Sequence, residues 1–150
     1  MGNDYLCIPK KITLINHYRG SSSCYHYAVT EMERLLNRSG VKIEKVNKEL
    51  SEVYFSLQLS VSGTVSKIPE VHGKKMGKDA YRITVSKAEL TISSPSAKGI
   101  LNGTYDLAER LGYLFLYPGL GGEWAPTYDQ LATLFIGDEI INPRFPYRGI

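Results

Sequence analysis

Apolar and polar residues alternate most cleanly from Val53 to Val61, where Val53, Phe55, Leu57, Leu59 and Val61 are separated by Tyr54, Ser56, Gln58 and Ser60. A period of two sends successive side chains to opposite faces, so this segment is predicted as a half-buried strand with its polar set turned to solvent. The same alternation runs through Tyr81-Arg82-Ile83-Thr84-Val85 and Glu89-Leu90-Thr91-Ile92-Ser93 on either side of Ser86-Lys87-Ala88, which predicts an antiparallel hairpin. Lys11 to Asn16, with Ile12 and Leu14 apolar and several β-branched residues, reads as a further strand, and so does Val41 to Val46. Between these two the period changes. Tyr25, Ala28, Val29, Met32, Leu35 and Leu36 recur at three- and four-residue spacing after the serines at 21 to 23, with Glu31, Glu33 and Arg34 off the stripe, so a helix capped by serine and stopped at Gly40 is expected. A second helix starts at Ser94-Pro95-Ser96, carries Ile100, Thr104, Leu107, Ala108 and Leu111 on one face, and stops at Gly112. Gly99 and Gly103 cost this helix about 1 kcal/mol each in propensity, which points to close approach of its backbone to the sheet.

The remaining segments are shorter. Tyr113 to Tyr117 reads as an aromatic strand stopped by Pro118-Gly119, followed by the turn-rich Gly119 to Thr127, an apolar stretch from Leu131 to Ile136, and Ile140-Ile141. Gly63 to Lys78 has no periodicity, three glycines, Pro69 and four lysines, and is expected to be a surface excursion. Together these elements predict an α+β fold in which two main helices pack against a single mixed β-sheet.

Composition sets limits on that picture. A chain of 150 residues, 43% of them apolar, forms one domain with a substantial core. A complete (β/α)₈ barrel needs about 250 residues, so any function that requires one must draw on other sequence. The net charge of +3 is small and evenly spread, which gives no reason to expect a nucleic-acid or membrane partner. The longest apolar run, Tyr113 to Tyr117, falls far short of the roughly 18 residues of a membrane span. Residues 1 to 10 lack the pattern of a secretory signal. Cys7 and Cys24 fit no metal or redox spacing, leaving buried or free thiols and a single disulfide as the alternatives.

Candidate chemistry is sparse. His17, His26 and His72 have no second ligand-type residue at zinc-binding spacing, so no metal or other cofactor is expected. Asp106 and Glu109 lie one turn apart and could form an acid–base pair. They also flank the apolar stripe beside Arg110, which favours a solvated, ion-paired helix face. Pro118-Gly119-Leu120-Gly121-Gly122 matches neither phosphate-binding glycine pattern, and the cluster Lys74, Lys75, Lys78 lacks interleaved aromatics. No Gly-x-Ser-x-Gly elbow is present. No catalytic residue is assigned, and the chain alone is not expected to be an enzyme.

Two stretches nevertheless carry a resemblance. Asp79 to Val85, Leu90 to Ser94 and Gly99-Ile100-Leu101-Asn102-Gly103-Thr104-Tyr105-Asp106-Leu107-Ala108-Glu109-Arg110-Leu111-Gly112 continue through Phe115, Pro118-Gly119, Gly122-Glu123 and Pro126. This resembles the non-catalytic N-terminal domain that precedes the barrel in β-N-acetylhexosaminidases and in related α-glucuronidases and α-N-acetylglucosaminidases. There a hairpin leads into a "G-x-x-x-G-x-y-x-L-x-E-x-L-G" helix, a short strand and a "P-G-x-x-G-E-x-x-P" turn. Pro143-Arg144-Phe145-Pro146-Tyr147-Arg148-Gly149 adds a second match, to the "P-x-F-x-aromatic-R-G" segment that opens the first barrel strand of these glycosidases.

The resemblance implies an accessory domain over residues 1–142, with residues 143–150 beginning the link into a catalytic barrel. That barrel would be its partner, the oligosaccharide substrate would be met only through the full-length glycoside hydrolase, and the location would be periplasmic or secreted. It also implies a substrate-binding role for Arg148, since the arginine of this segment contacts the sugar in the resembled hexosaminidases. The alternative is an independent glycan- or protein-binding module with Tyr113, Tyr117, Trp124 and Tyr128 as an aromatic platform.

Overall fold

Of the chain's 150 residues, the computed structural model describes 5–18, 21–51, 55–60, 79–116 and 120–142. In chain order the elements are β1 (Tyr5–Leu6), β2 (Lys11–Tyr18), α1 (Ser23–Arg38), β3 (Lys42–Ser51), β4 (Phe55–Ser60), β5 (Tyr81–Val85), β6 (Glu89–Ser94) and α2 (Ala97–Leu111). They are followed by β7 (Leu114–Phe115), β8 (Glu123–Trp124), β9 (Leu134–Phe135) and β10 (Gly137–Ile141). Six strands form one sheet in the order β10-β5-β6-β4-β2-β3. Only the β2–β3 pair is parallel, because α1 carries the chain back between them, and the other pairs are antiparallel. The fold is α+β with a mixed sheet and two helices, as the periodicities predict.

Both helices begin on the serines that the sequence offers. Ser22 accepts from the Tyr25 amide and Ser96 from the Gly99 amide, each satisfying a donor that the first helical turn leaves unpaired. Both end at glycines with positive φ, +85° at Gly40 and +112° at Gly112. The predicted stripes are buried, and they meet one face of the sheet. The row Leu14, Leu59, Leu90 and Val85, directly opposed across four strands, and the neighbouring Leu57, Ile92 and Ile83 form the floor of this core. Tyr25, Met32, Leu36, Ile100 and Leu107 form its roof.

Gly103 has no room for a side chain: a Cβ there would lie 2.6 Å from the Ile92 methyl and 3.2 Å from the Tyr81 ring. The backbone of α2 therefore rests directly on the sheet, as its two glycines suggest. Gly103→Ala is expected to destabilise the chain by about 1 to 3 kcal/mol, despite alanine's better helix propensity, because the surrounding core must shift. Chemical denaturation tests this, and a stabilised variant would mean that the helix can lift without loss.

One expectation needs correction, and one strand has no precedent in the sequence pattern. Gln58 and Ser60 are fully buried rather than turned to solvent. Their strand is central in the sheet, flanked by β2 and β6, and Ile15 and Thr91 stand directly opposite Gln58 on the face away from the helices. Burial of the amide is offset by a hydrogen bond of 2.7 Å from Gln58 Nε2 to Glu89 Oε2. Residues 137 to 141 form an edge strand against β5 that short-range pattern did not reveal. Long-range pairing holds it, with Arg82 Nε donating to Asp138 at 2.8 Å. The excursion from Gly63 to Lys78 lies outside the described residues.

Candidate functional site

From Gly112 the chain leaves α2, forms β7, turns through a short 3₁₀ segment at Leu120–Gly122 and returns as β8. The two strands make a ribbon in which Leu114 opposes Trp124 and Phe115 opposes Glu123, extended by a 2.7 Å bond from the Leu116 amide to the Gly122 carbonyl. Strand alternation splits the ribbon into two unlike faces. Phe115 and Glu123 turn toward the helices. Leu114, Leu116 and Trp124 turn outward and are 51%, 73% and 46% exposed.

The inward face is held by a set of charges that joins three elements. Arg34 on α1 lies between two carboxylates: Nε and Nη2 donate to Glu31 at 2.7 and 3.0 Å, while Nη1 and Nη2 donate to Glu123 at 2.9 and 2.7 Å. Arg38, one turn further along, also donates to Glu123. On the other side the Tyr105 hydroxyl of α2 donates to Glu31 at 2.7 Å, and its ring meets Phe115 edge-on with centroids 5.3 Å apart. Both glutamates are nearly inaccessible, with side-chain exposures of 8% and 6%.

Burial alone would raise the Glu31 pKa. Hydrogen bonds from Arg34 and Tyr105 outweigh it, with the Arg34 charge, and hold the carboxyl below the usual carboxylate range. Glu123 is lowered chiefly by its hydrogen bond to Arg34, against burial and with help from Arg38. Arg34 is raised by the two carboxylates, and Tyr105 is raised by burial and by its bond to Glu31. This constellation does not have the makings of an acid–base pair. A general acid needs a raised pKa and a free proton, whereas here both carboxylates are held ionised and every carboxylate oxygen accepts from a neighbour. Its chemistry is that of a clasp between a ribbon and two helices.

The clasp is continued by hydroxyls. Tyr113 is buried and donates to the Leu35 carbonyl at 2.6 Å, and Ser39 Oγ donates to the Pro126 carbonyl at 2.7 Å. This corrects the aromatic platform. Tyr113 faces the interior. The half-buried Tyr128 bonds the Ile8 carbonyl, with the Lys10 ammonium 5.4 Å from its ring centroid. Trp124 is exposed, and Tyr117 lies outside the described residues.

A second apolar surface is formed by Tyr5 and Phe135, paired across β1 and β9 with ring centroids 4.8 Å apart. Five of the seven large apolar side chains exposed among the described residues lie on or directly beside these two ribbons. The segment that joins the two ribbons is held at the end of α2. Pro126 packs 3.7 Å from the Cβ position of Gly112, and the Ala132 amide donates to the Leu111 carbonyl.

Other sequence candidates resolve simply. Asp106 accepts from Arg110 at 3.0 Å and from the Tyr81 hydroxyl at 2.7 Å, and Arg110 reaches Glu139 of β10 at 3.1 Å. The helix face is ion-paired. Cys7 and Cys24 are both free, and His26 is exposed. Arg148 with the rest of 143–150, His72, Lys74, Lys75 and Lys78, and the side chain of His17 lie outside the described residues. Among the described residues no helix is long and apolar enough to cross a membrane.

No protein-family model, curated protein or solved structure matches this chain.

Proposed function

We propose that the chain is a non-catalytic accessory domain of a carbohydrate-active glycoside hydrolase, packing against a (β/α)₈ catalytic barrel through the outward face of the β7–β8 ribbon. The observation that carries this reading is the contrast between the ribbon's two faces. Glu123, Arg34, Arg38, Glu31 and Tyr105 fix a ribbon of two-residue strands against both helices, while Leu114, Leu116 and Trp124 remain in water. Ordering these side chains costs conformational entropy, and contiguous exposed apolar side chains are characteristic of interaction surfaces. A rigid apolar ribbon is prepared for a protein partner, because little further ordering is needed when it docks.

The residues that carry the resemblance support the same reading by what they do. Gly103 brings α2 onto the sheet, Gly112 releases the chain into the ribbon, Glu123 anchors the ribbon, and the Pro126 carbonyl fixes its exit. All four roles are structural, as an accessory domain requires. In this reading the domain meets the oligosaccharide only as part of the whole enzyme, in the periplasm or outside the cell.

Continuing the reading frame past Ile150 is expected to reveal a barrel with an adjacent Asp-Glu pair, and an unrelated continuation would overturn the proposal. With the barrel expressed separately, Trp124→Ala is expected to weaken association by roughly 30-fold, the effect of losing about 2 kcal/mol at an interface centre. The circular dichroism of the domain should stay unchanged. Unaltered affinity would remove the ribbon from the interface.

The same proposal gives Arg148 a substrate contact from the first barrel strand. Its planar guanidinium can donate paired hydrogen bonds to neighbouring sugar hydroxyls in a geometry lysine cannot copy. Arg148→Lys in the full-length enzyme is therefore expected to lower kcat/KM by roughly 10- to 150-fold, the loss of about 1.5 to 3 kcal/mol. A fall of less than about threefold would leave Arg148 without that role.

A further inference from the structure

We draw no further inference here: the strongest candidate beyond the ribbon, the buried polar face of β4 and β6 where Ser93 Oγ has no hydrogen-bond partner among the described residues, carries none because nothing in the structure shows what covers it.

Discussion

Arg34→Met is expected to destabilise the chain by about 3 to 5 kcal/mol at neutral pH, the range for removing one partner of a buried ion pair. Two nearly inaccessible carboxylates share this guanidinium, so its loss leaves charge behind in two places. Tyr105 still bonds Glu31 and Arg38 still bonds Glu123, which places the expected value near the lower end of the range. The pH dependence follows from the direction of the shifts. Glu31 and Glu123 have folded pKa values below their unfolded values, so their contribution is fully present above about pH 4.3 and is lost as pH falls through the folded values. In the variant, burial acts on carboxylates that have lost their main counter-charge and moves their pKa upward. Protonation then relieves the penalty, so the gap between wild type and variant should begin to narrow as pH falls through the variant's raised values and go on narrowing as it falls through the lowered wild-type ones. Urea unfolding at pH 7 and pH 3 measures both effects. A gap under about 1 kcal/mol at pH 7 would mean that water screens the clasp as it does a surface pair.

Short-range pattern carried the helices, the hairpin and both helix ends, because each depends on residues within about four positions of one another. The serine caps, the positive-φ glycines and the stripes at 25–36 and 100–111 are all of this kind. Gly103 was also legible, since a glycine inside a helix costs propensity and invites a packing explanation. The clasp was not. Periodicity set Glu31 off the apolar stripe, yet it is buried, because the groups that cover it come from 74 residues away on Tyr105 and, through Arg34, from Glu123. The three-residue spacing of Glu31 and Arg34 was the available signal, but nothing local distinguishes an exposed pair from one that meets a third charge. The same limit explains Tyr113, which looks like one of several surface aromatics until Leu35 and Ser39 are brought beside it.

The edge strand β10 shows how long-range pairing builds on those local elements. Gly137 to Ile141 has little alternation of its own, and its place comes from Arg82 and Arg110 reaching Asp138 and Glu139. Asp106 thus belongs to a chain of contacts linking Tyr81, α2 and β10. Asp106, which could have suggested catalysis in the sequence, is used to join elements. The clasp makes the same use of Glu31 and Glu123, and what it leaves exposed is apolar.

Leu111→Ala is expected to cost about 2 to 5 kcal/mol, from lost burial and from the cavity left behind. Leu111 is 1% exposed and closes the buried stripe of α2, one residue before the chain turns at Gly112. Its position gives the variant a second, local signature. The Leu111 carbonyl accepts from the Ala132 amide, and the ribbon strand begins three residues later at Leu114, so the cavity opens at the root of the exposed surface. Hydrogen exchange at the Leu116 amide, which bonds Gly122 across the ribbon, should accelerate in the variant by more than the global loss of stability requires. Lys98→Ala, on the exposed side of the same helix, should stay within about 0.5 kcal/mol of wild type and leave that amide unchanged. A loss below about 1 kcal/mol for Leu111→Ala would place Leu111 outside the core. A full loss without faster exchange at Leu116 would show that the clasp alone, and not the end of α2, fixes the ribbon.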